Sequence, residues 1–352
     1  MKILLISNMY PDSNNIRYGI FVKNVVNDLS KSKFNFSFIV MYKNNYNLFC
    51  KLFLYIKFYI KIFKSLYDSS IDLYYFHYPT FTLLPLLVFY PKKVKICINF
   101  HGSDLLNPSF FNVFFNRLLS KLYSRVDGVI FPSQFMLNEF IKKNFYNSNL
   151  FVSPSGGVNT DIFYPKCSVY NFDRPFRIGF AGNISNSKGI WILINSLPFL
   201  SFNFQCFIVG DGKDKPSIME HVRSSTFSDK IFFIDTLSQE KLADFYRFID
   251  VFVFPTLLPE SLGLVGLESL FCGTPVIGSN IGGISGYLVN NENGLTFNSN
   301  DYNSLISAIN TLYNDKILYN NLSLNSSMSV QNFSHSVTNI NLSNYLSKIV
   351  YE

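Results

Sequence analysis

The segment 254–278, FPTLLPESLGLVGLESLFCGTPVIG, decides how the rest of the chain is read. Two carboxylates, Glu260 and Glu268, stand eight positions apart, and every residue between them is apolar, small or hydroxylic. Gly263 and Gly266 loosen the backbone near a helix start, and Gly273-Thr274-Pro275 marks its end. If the segment were helical throughout, the two carboxylates would lie roughly 12 Å apart along the axis. The helical neighbours of Glu268 are Leu264, Val265, Phe271 and Cys272, an apolar face. A carboxylate without partners there is costly or takes up a proton. The segment supplies no Lys or Arg to pair with it. The residues alone leave two readings. Either a ligand rich in hydroxyl donors satisfies Glu268, or a backbone or Ser donor does so on a helix turned towards solvent.

At 352 residues the chain is long for one hydrophobic core and suits two domains of about 150 residues each. Aliphatic, aromatic and Cys residues make up 48%, which excludes a disordered chain. The net charge of +7 suits a polyanionic partner such as a membrane surface or a nucleoside diphosphate. The basic residues are dispersed, so we expect no nucleic acid. Cys50, Cys97, Cys167, Cys206 and Cys272 form no close cluster, which fits a reducing, cytoplasmic setting and neither a disulfide frame nor a zinc site. The start, MKILLISNMYPD, lacks the apolar core and cleavage site of a signal peptide. Two uncharged runs, 73–91 and 189–210, are interrupted by Pro and Asn, and no transmembrane helix is expected.

Taken in order, residues 2–8 read as a buried strand that runs through a polar turn to Gly19 and a helix at 20–29. A Gly before a helix start lets backbone N–H groups meet an anion, although most such loops are merely turns. In 46–67, YNLFCKLFLYIKFYIKIFKSLY, Lys57, Lys61 and Lys64 fall within about a 60° arc of a helix. Such a stretch either lies on an anionic membrane surface or packs its apolar face on a sheet and leaves the lysines solvated. Strands at 72–78 and 95–100 follow. The second delivers His101 at its carboxyl end, where open α/β sheets bind ligands, although a lone His also serves as a loop brace. A strand at 126–131, a helix at 134–143 and a strand from 150 complete this half. Residues 164–175 are the candidate linker.

A second strand-and-helix series begins at 176. Lys188 precedes a helix start, a position that suits a phosphate. Strands follow at 204–210, 230–234 and 250–255, with a capping-box-like Ser238-Gln239-Glu240-Lys241 opening a helix to 249. Both halves therefore read as Rossmann-type α/β layers, and the tail from 301 as helical. Neither half carries G-x-G-x-x-G, which counts against a dinucleotide cofactor.

With these pieces in place the chain resembles retaining glycosyltransferases of the GT4, or group 1, family. The E-x7-E motif is read from Glu260 to Glu268. Supporting stretches are FHGSD (100–104), SPSGGVNTDIF (153–163), FAGNISNSKG (180–189), IVGDGKDK (208–215), LSQEKLADFYRFIDVFVFPT (237–256) and IGGISGYLVNNENGL (281–295). The resemblance implies a GT-B fold: two Rossmann-like domains, 1–165 and 166–332, facing each other across a cleft. A last helix at 333–352 would return to the first domain. It implies Glu268 on the ribose hydroxyls, Glu260 on hydroxyls of the transferred sugar, and Lys188 on the diphosphate. The backbone N–H groups of Gly263, Leu264 and Val265 would assist Lys188. Gly19 would approach the phosphates, His101 would sit beside the donor sugar, and the loop from Asp235 to Leu237 would meet the base.

Where the family usually has Arg, this chain has Asn183, which carries no charge. Lys188 suffices, or Arg17 substitutes. The implied activity is sugar transfer with retention to a glycan or lipid-linked glycan acceptor, without a cofactor or metal. A soluble sugar phosphorylase or synthase and a non-catalytic nucleotide-sugar-binding protein are the alternatives.

Overall fold

The computed structural model describes residues 1–15, 18–31, 34–43, 47–91, 94–165 and 173–352. Tyr46, Cys167, Arg17 and most of the expected linker lie outside the described residues. The chain forms two compact units, Met1–Gly157 with Thr338–Glu352, and Val158–Val337. The boundaries read from sequence, 165/166 and 332/333, lie eight residues after and five residues before these limits.

In the first unit the strands are β1 (Lys2–Tyr10), β2 (Asn35–Tyr42), β3 (Leu73–His77), β4 (Lys95–Asn99), β5 (Gly128–Phe131) and β6 (Leu150–Val152). They form a sheet in the order β2-β1-β3-β4-β5-β6, with every pairing parallel. The helices are α1 (Ile20–Leu29), α2 (Leu48–Ser65), α3 (Pro79–Thr82), α4 (Ser103–Leu106), α5 (Phe110–Tyr123) and α6 (Gln134–Lys142). Because side chains alternate across a strand, a sheet covered on both faces needs apolar residues at consecutive positions, as ILLI at 3–6 provides. Leu4 and Ile6 enter one core with Phe76, Ile98 and Phe131. Ile3 and Leu5 enter the other with Tyr75 and Cys97.

In the second unit the strands are β7 (Phe176–Ala181), β8 (Phe204–Val209), β9 (Ile231–Ile234), β10 (Val251–Phe254), β11 (Val276–Ser279) and β12 (Gly294–Phe297). Their order is β12-β11-β10-β7-β8-β9, again parallel throughout. This is the doubly wound Rossmann order, which reverses between β7 and β10. The helices are α7 (Ile190–Ser196), α8 (Lys215–Arg223), α9 (Gln239–Phe248), α10 (Leu264–Phe271), α11 (Tyr302–Asn314) and α12 (Lys316–Ser329). Asp250 tethers the start of β7 to β10: both its oxygens accept from Arg174 at 2.7 Å, and one also accepts from the Arg177 N–H.

The last helix, α13 (His335–Tyr351), gives most of its length to the first unit. There Leu342, Tyr345, Leu346 and Ile349 join the core containing Ile3 and Leu73. Tyr345 stacks on Phe151 and donates to the Asn149 carbonyl at 2.9 Å. No helix among the described residues is long and apolar enough to cross a membrane. Leu346 is fully buried. Leu346→Ala should cost about 2–5 kcal/mol, read as faster hydrogen exchange of the β3 amides, with β10 unchanged.

Candidate functional site

Two loops leave the second sheet at the point where its strand order reverses. After β7 the chain runs through Gly182 and Asn183 into the 3-10 turn Asn186–Lys188, and after β10 it runs from Pro255 to Gly263. The turn points Lys188 across to the other loop, where its Nζ donates to Glu260 Oε1 at 2.5 Å. Thr256 donates to the same oxygen at 3.1 Å. Both charged side chains are partly withdrawn from water, with 34% of Lys188 and 17% of Glu260 exposed. The loop is held from outside by Gly283, whose N–H donates to the Glu260 carbonyl at 2.7 Å. A Cβ on Gly282 would come within 2.6 Å of the Glu260 nitrogen, so this close backbone approach requires glycine.

Helix α10 starts one residue after Gly263, which caps it at φ +85 with its carbonyl accepting from the Tyr287 hydroxyl at 2.8 Å. Glu260 therefore lies in a loop rather than on the helix, and the 12 Å axial spacing of a continuous helix does not apply. Leu264 and Val265 open the first turn, whose N–H groups have no acceptor within the helix. Glu268, one helical turn on, is half-buried and accepts from Tyr246 of α9 at 3.2 Å. Burial pushes its carboxyl up to about 7, against the Tyr246 bond, which favours the charged form.

The other residues singled out from sequence are more scattered. Asn183 is exposed. Asp235 is exposed at the end of β9 and pairs with Lys215 at 2.7 Å, which lowers its carboxyl, while Leu237 beside it is half-buried. In the first unit Gly19 caps α1 at φ +73, and a Cβ there would meet the Met9 carbonyl at 2.6 Å. Two residues on, Phe21 packs its ring 4.5 Å from that of His101. Asp104 accepts from the backbone N–H groups of His101 and Gly102 at 2.9 and 2.7 Å and so fixes the loop.

His101 Nε2 meets His77 Nδ1 at 2.9 Å. The sequence reading missed that partner, although the strand before 78 ends on it. It also missed Tyr246, which no local pattern links to Glu268, and the direct pairing of Lys188 with Glu260. Among the described residues no group of three or more His, Cys, Asp and Glu side chains could hold a metal ion.

Two six-stranded parallel Rossmann-like units in one chain define the GT-B class of α/β fold. Residues 21–161 match the model of Glycosyltransferase Family 4, and residues 169–327 that of Glycosyl transferases group 1. The chain is a glycosyltransferase of group 1. It is 29% identical over 343 residues to an uncharacterized glycosyltransferase of Methanocaldococcus jannaschii, covering 92% of each. It is 30% identical over 161 residues to the capsular polysaccharide biosynthesis glycosyltransferase CapM of Staphylococcus aureus, 45% of this chain and 42% of CapM.

Among solved structures, sucrose-phosphate synthase from Thermosynechococcus elongatus superposes with a TM-score of 0.81 at 19% identity, covering 99% of both chains. HepE of Anabaena in complex with UDP does so with a TM-score of 0.79, also at 19% identity, covering 99% of this chain and 100% of HepE. At that identity the likeness is one of fold.

The raised carboxyl of Glu268 gives the site a pH signature. A carboxyl whose folded value lies above its unfolded value binds its proton more tightly in the folded chain. Folding stability is therefore highest below the ordinary Glu range and falls as pH rises towards 7. Glu268→Gln should remove about 1–2 kcal/mol of that loss, after allowing for partial exposure. The measurement is urea unfolding of both forms at pH 5 and pH 8, where only the wild type should weaken through this group.

Proposed function

We propose that this chain transfers a sugar from a nucleoside diphosphate sugar to an acceptor hydroxyl with retention at the anomeric carbon. The observation that carries the reading is the Lys188–Glu260 pair beside the open first turn of α10, with Glu268 beyond it. A cation and unpaired N–H groups suit a diphosphate, and the two carboxylates suit hydroxyls. In this reading Lys188 and the N–H groups of Gly263, Leu264 and Val265 hold the diphosphate. Glu260 binds the transferred sugar and Glu268 the ribose. Gly19 approaches the phosphates, His101 the sugar, and the Asp235–Leu237 loop the base.

The acceptor oxygen bonds to the anomeric carbon on the face the diphosphate leaves. The acceptor proton passes to a departing phosphate oxygen, and Lys188 stabilises the developing charge. The residues assigned to this step need no cofactor or metal. Asn183 offers a neutral hydrogen bond where the family has Arg, and the reading leaves the charge compensation to Lys188. HepE, solved with UDP, and CapM, named for capsular polysaccharide, support a nucleotide-sugar donor and a glycan acceptor.

A lipid-linked acceptor at an inner membrane surface is supported by α2. Successive residues on a helix are 100° apart, and by that rule α2 divides into three arcs. Phe58 and Ile62 point into the core. Lys57, Lys61 and Lys64 form a second arc, exposed to water. Phe49, Leu52, Phe53, Ile56 and Ile60 form a third arc, also exposed, so the helix has more apolar surface than its own sheet covers. Helix α5 repeats the pattern on its outer side, with Phe110, Phe111 and Phe114 exposed ahead of Arg117 and Lys121. Residues 29–126 hold 13 Lys and Arg against Asp68, Asp72 and Asp104, a net +10, more than the +7 of the whole chain. Apolar side chains flanked by cations are suited to an anionic phospholipid surface.

Two measurements test the proposal. In a transfer assay with a panel of nucleoside diphosphate sugars and lipid-linked glycans, Lys188→Ala and Glu260→Ala should each lower kcat by about 10²–10³-fold; unchanged turnover in both would sink the assignment. On vesicles, Lys57, Lys61 and Lys64 changed together to Gln should weaken binding to phosphatidylglycerol by roughly a hundredfold, at about 1 kcal/mol per cation. Binding to neutral phosphatidylcholine should barely change, and equal losses on both lipids would exclude the electrostatic part.

A further inference from the structure

His77 and His101 stand at the carboxyl ends of adjacent strands in the first unit, and their contact bears on how His101 can meet a sugar. The point rests on the reading that places the transferred sugar at His101. His77 closes β3 and pairs in register with Asn99, two residues before His101. The two rings are nearly parallel, 12° apart with centroids at 5.0 Å, and the Tyr75 ring packs 4.3 Å from His77. His77 is fully buried, and its Nδ1 lies 2.9 Å from His101 Nε2. One of these two nitrogens carries the proton and the other accepts it.

The far nitrogen of His77 distinguishes the two arrangements. His77 Nε2 is buried and has no hydrogen-bond partner among the described residues. If His101 supplied the proton, neutral His77 would hold its own at Nε2, as a buried N–H without an acceptor. Orphaned buried N–H groups are among the rarest defects in folded proteins, and unpaired acceptors are tolerated more often. The opposite arrangement puts the proton on His77 Nδ1 and leaves only a lone pair at Nε2. His101 then accepts at Nε2 and must carry its proton at Nδ1. Desolvation depresses both rings, His101 to about 3, so neither escapes the choice by binding a second proton at neutral pH.

We infer that His77 is a positioning residue that holds His101 in its neutral Nδ1–H tautomer. His101 then offers a hydrogen-bond donor to an oxygen of the transferred sugar and has no free nitrogen with which to act as a base. The neighbouring carboxylate, Asp104, is occupied by backbone N–H groups and does not compete for that proton.

The test is the full chain labelled with ¹⁵N-histidine, which has only His77, His101, His221 and His335 to assign. A two-bond ¹H–¹⁵N correlation spectrum at pH 7.5 should show His101 protonated at Nδ1 and bare at Nε2. A His101 protonated at Nε2 overturns the inference. His77→Phe keeps a stacked ring and removes the donor. His101 should then lose its single tautomer, and kcat should fall about fivefold to tenfold, the size of one neutral hydrogen bond. An unchanged His101 spectrum in that variant also overturns the inference, and if the variant does not fold, the wild-type spectrum still decides. Full transfer activity in His101→Ala would instead remove the sugar from His101 and leave the tautomer assignment intact, because the spectrum requires no substrate.

Discussion

Lys188 and Glu260 are 72 positions apart in the chain, and their ion pair at 2.5 Å exists because β7 and β10 are neighbours in the second sheet. Strand order reverses between those two strands, so the helices that follow them diverge to opposite faces and leave a gap at the carboxyl ends. Two loops border that gap, and each brings one charge. Neither charge is fully solvated, and each is the main compensation for the other. Removing one partner would leave the second half-buried and unmatched, which is the costly way to break such a pair. The tight glycines around them follow from the same demand. Gly282 and Gly283 let a second segment press against the backbone at Glu260, which fixes where its carboxylate can reach.

The pair also changes how the two residues can serve a ligand. The sequence suggests a cation for phosphate and a carboxylate for hydroxyls, acting independently. In the folded chain each already has the other, so a ligand must share or replace that contact. A diphosphate approaching Lys188 raises the negative charge around Glu260, and hydroxyls donating to Glu260 relieve it. Charge and hydrogen bonding are coupled in one ligand that carries both groups. A free sugar carries only the hydroxyls.

Much of the architecture was legible because the strands are buried on both faces and so read as continuous apolar runs. The helix at 20–29 appears with the same limits in the structure, and strands such as 95–100 shift by a residue. The apolar environment of Glu268 was legible for the same reason, from residues three and four positions away. Its donor was not, because Tyr246 comes from α9, 22 residues earlier in sequence, and only the packing of α9 against α10 brings them together. His77 escaped notice likewise: partners across adjacent parallel strands have no fixed sequence offset. Helix α5 was overlooked because FFNVFFNRLLSKLY is apolar on the side facing water as well as on the side facing the core. In 46–67 likewise the sequence could not tell which part of the apolar arc the sheet would cover.

The distribution of charge differs between the two units. The second unit, 158–337, holds 11 Lys and Arg against 15 Asp and Glu, a net −4. A diphosphate bound there gains nothing from the positive charge of the chain as a whole. Screening confines electrostatic attraction to about 10 Å at ordinary salt, so binding of the anion depends on what lies within that radius. In the proposed site the nearest groups are Lys188 and the N–H groups of a helix start, both directional and short-ranged. The first unit is positive, and α2 and α5 carry six of its cations and no carboxylate beside exposed phenylalanines, an arrangement suited to a broad anionic plane rather than to a single phosphate. The net +7 is therefore the sum of a positive first unit and a negative second one. It says little about the charge around Lys188 and Glu260.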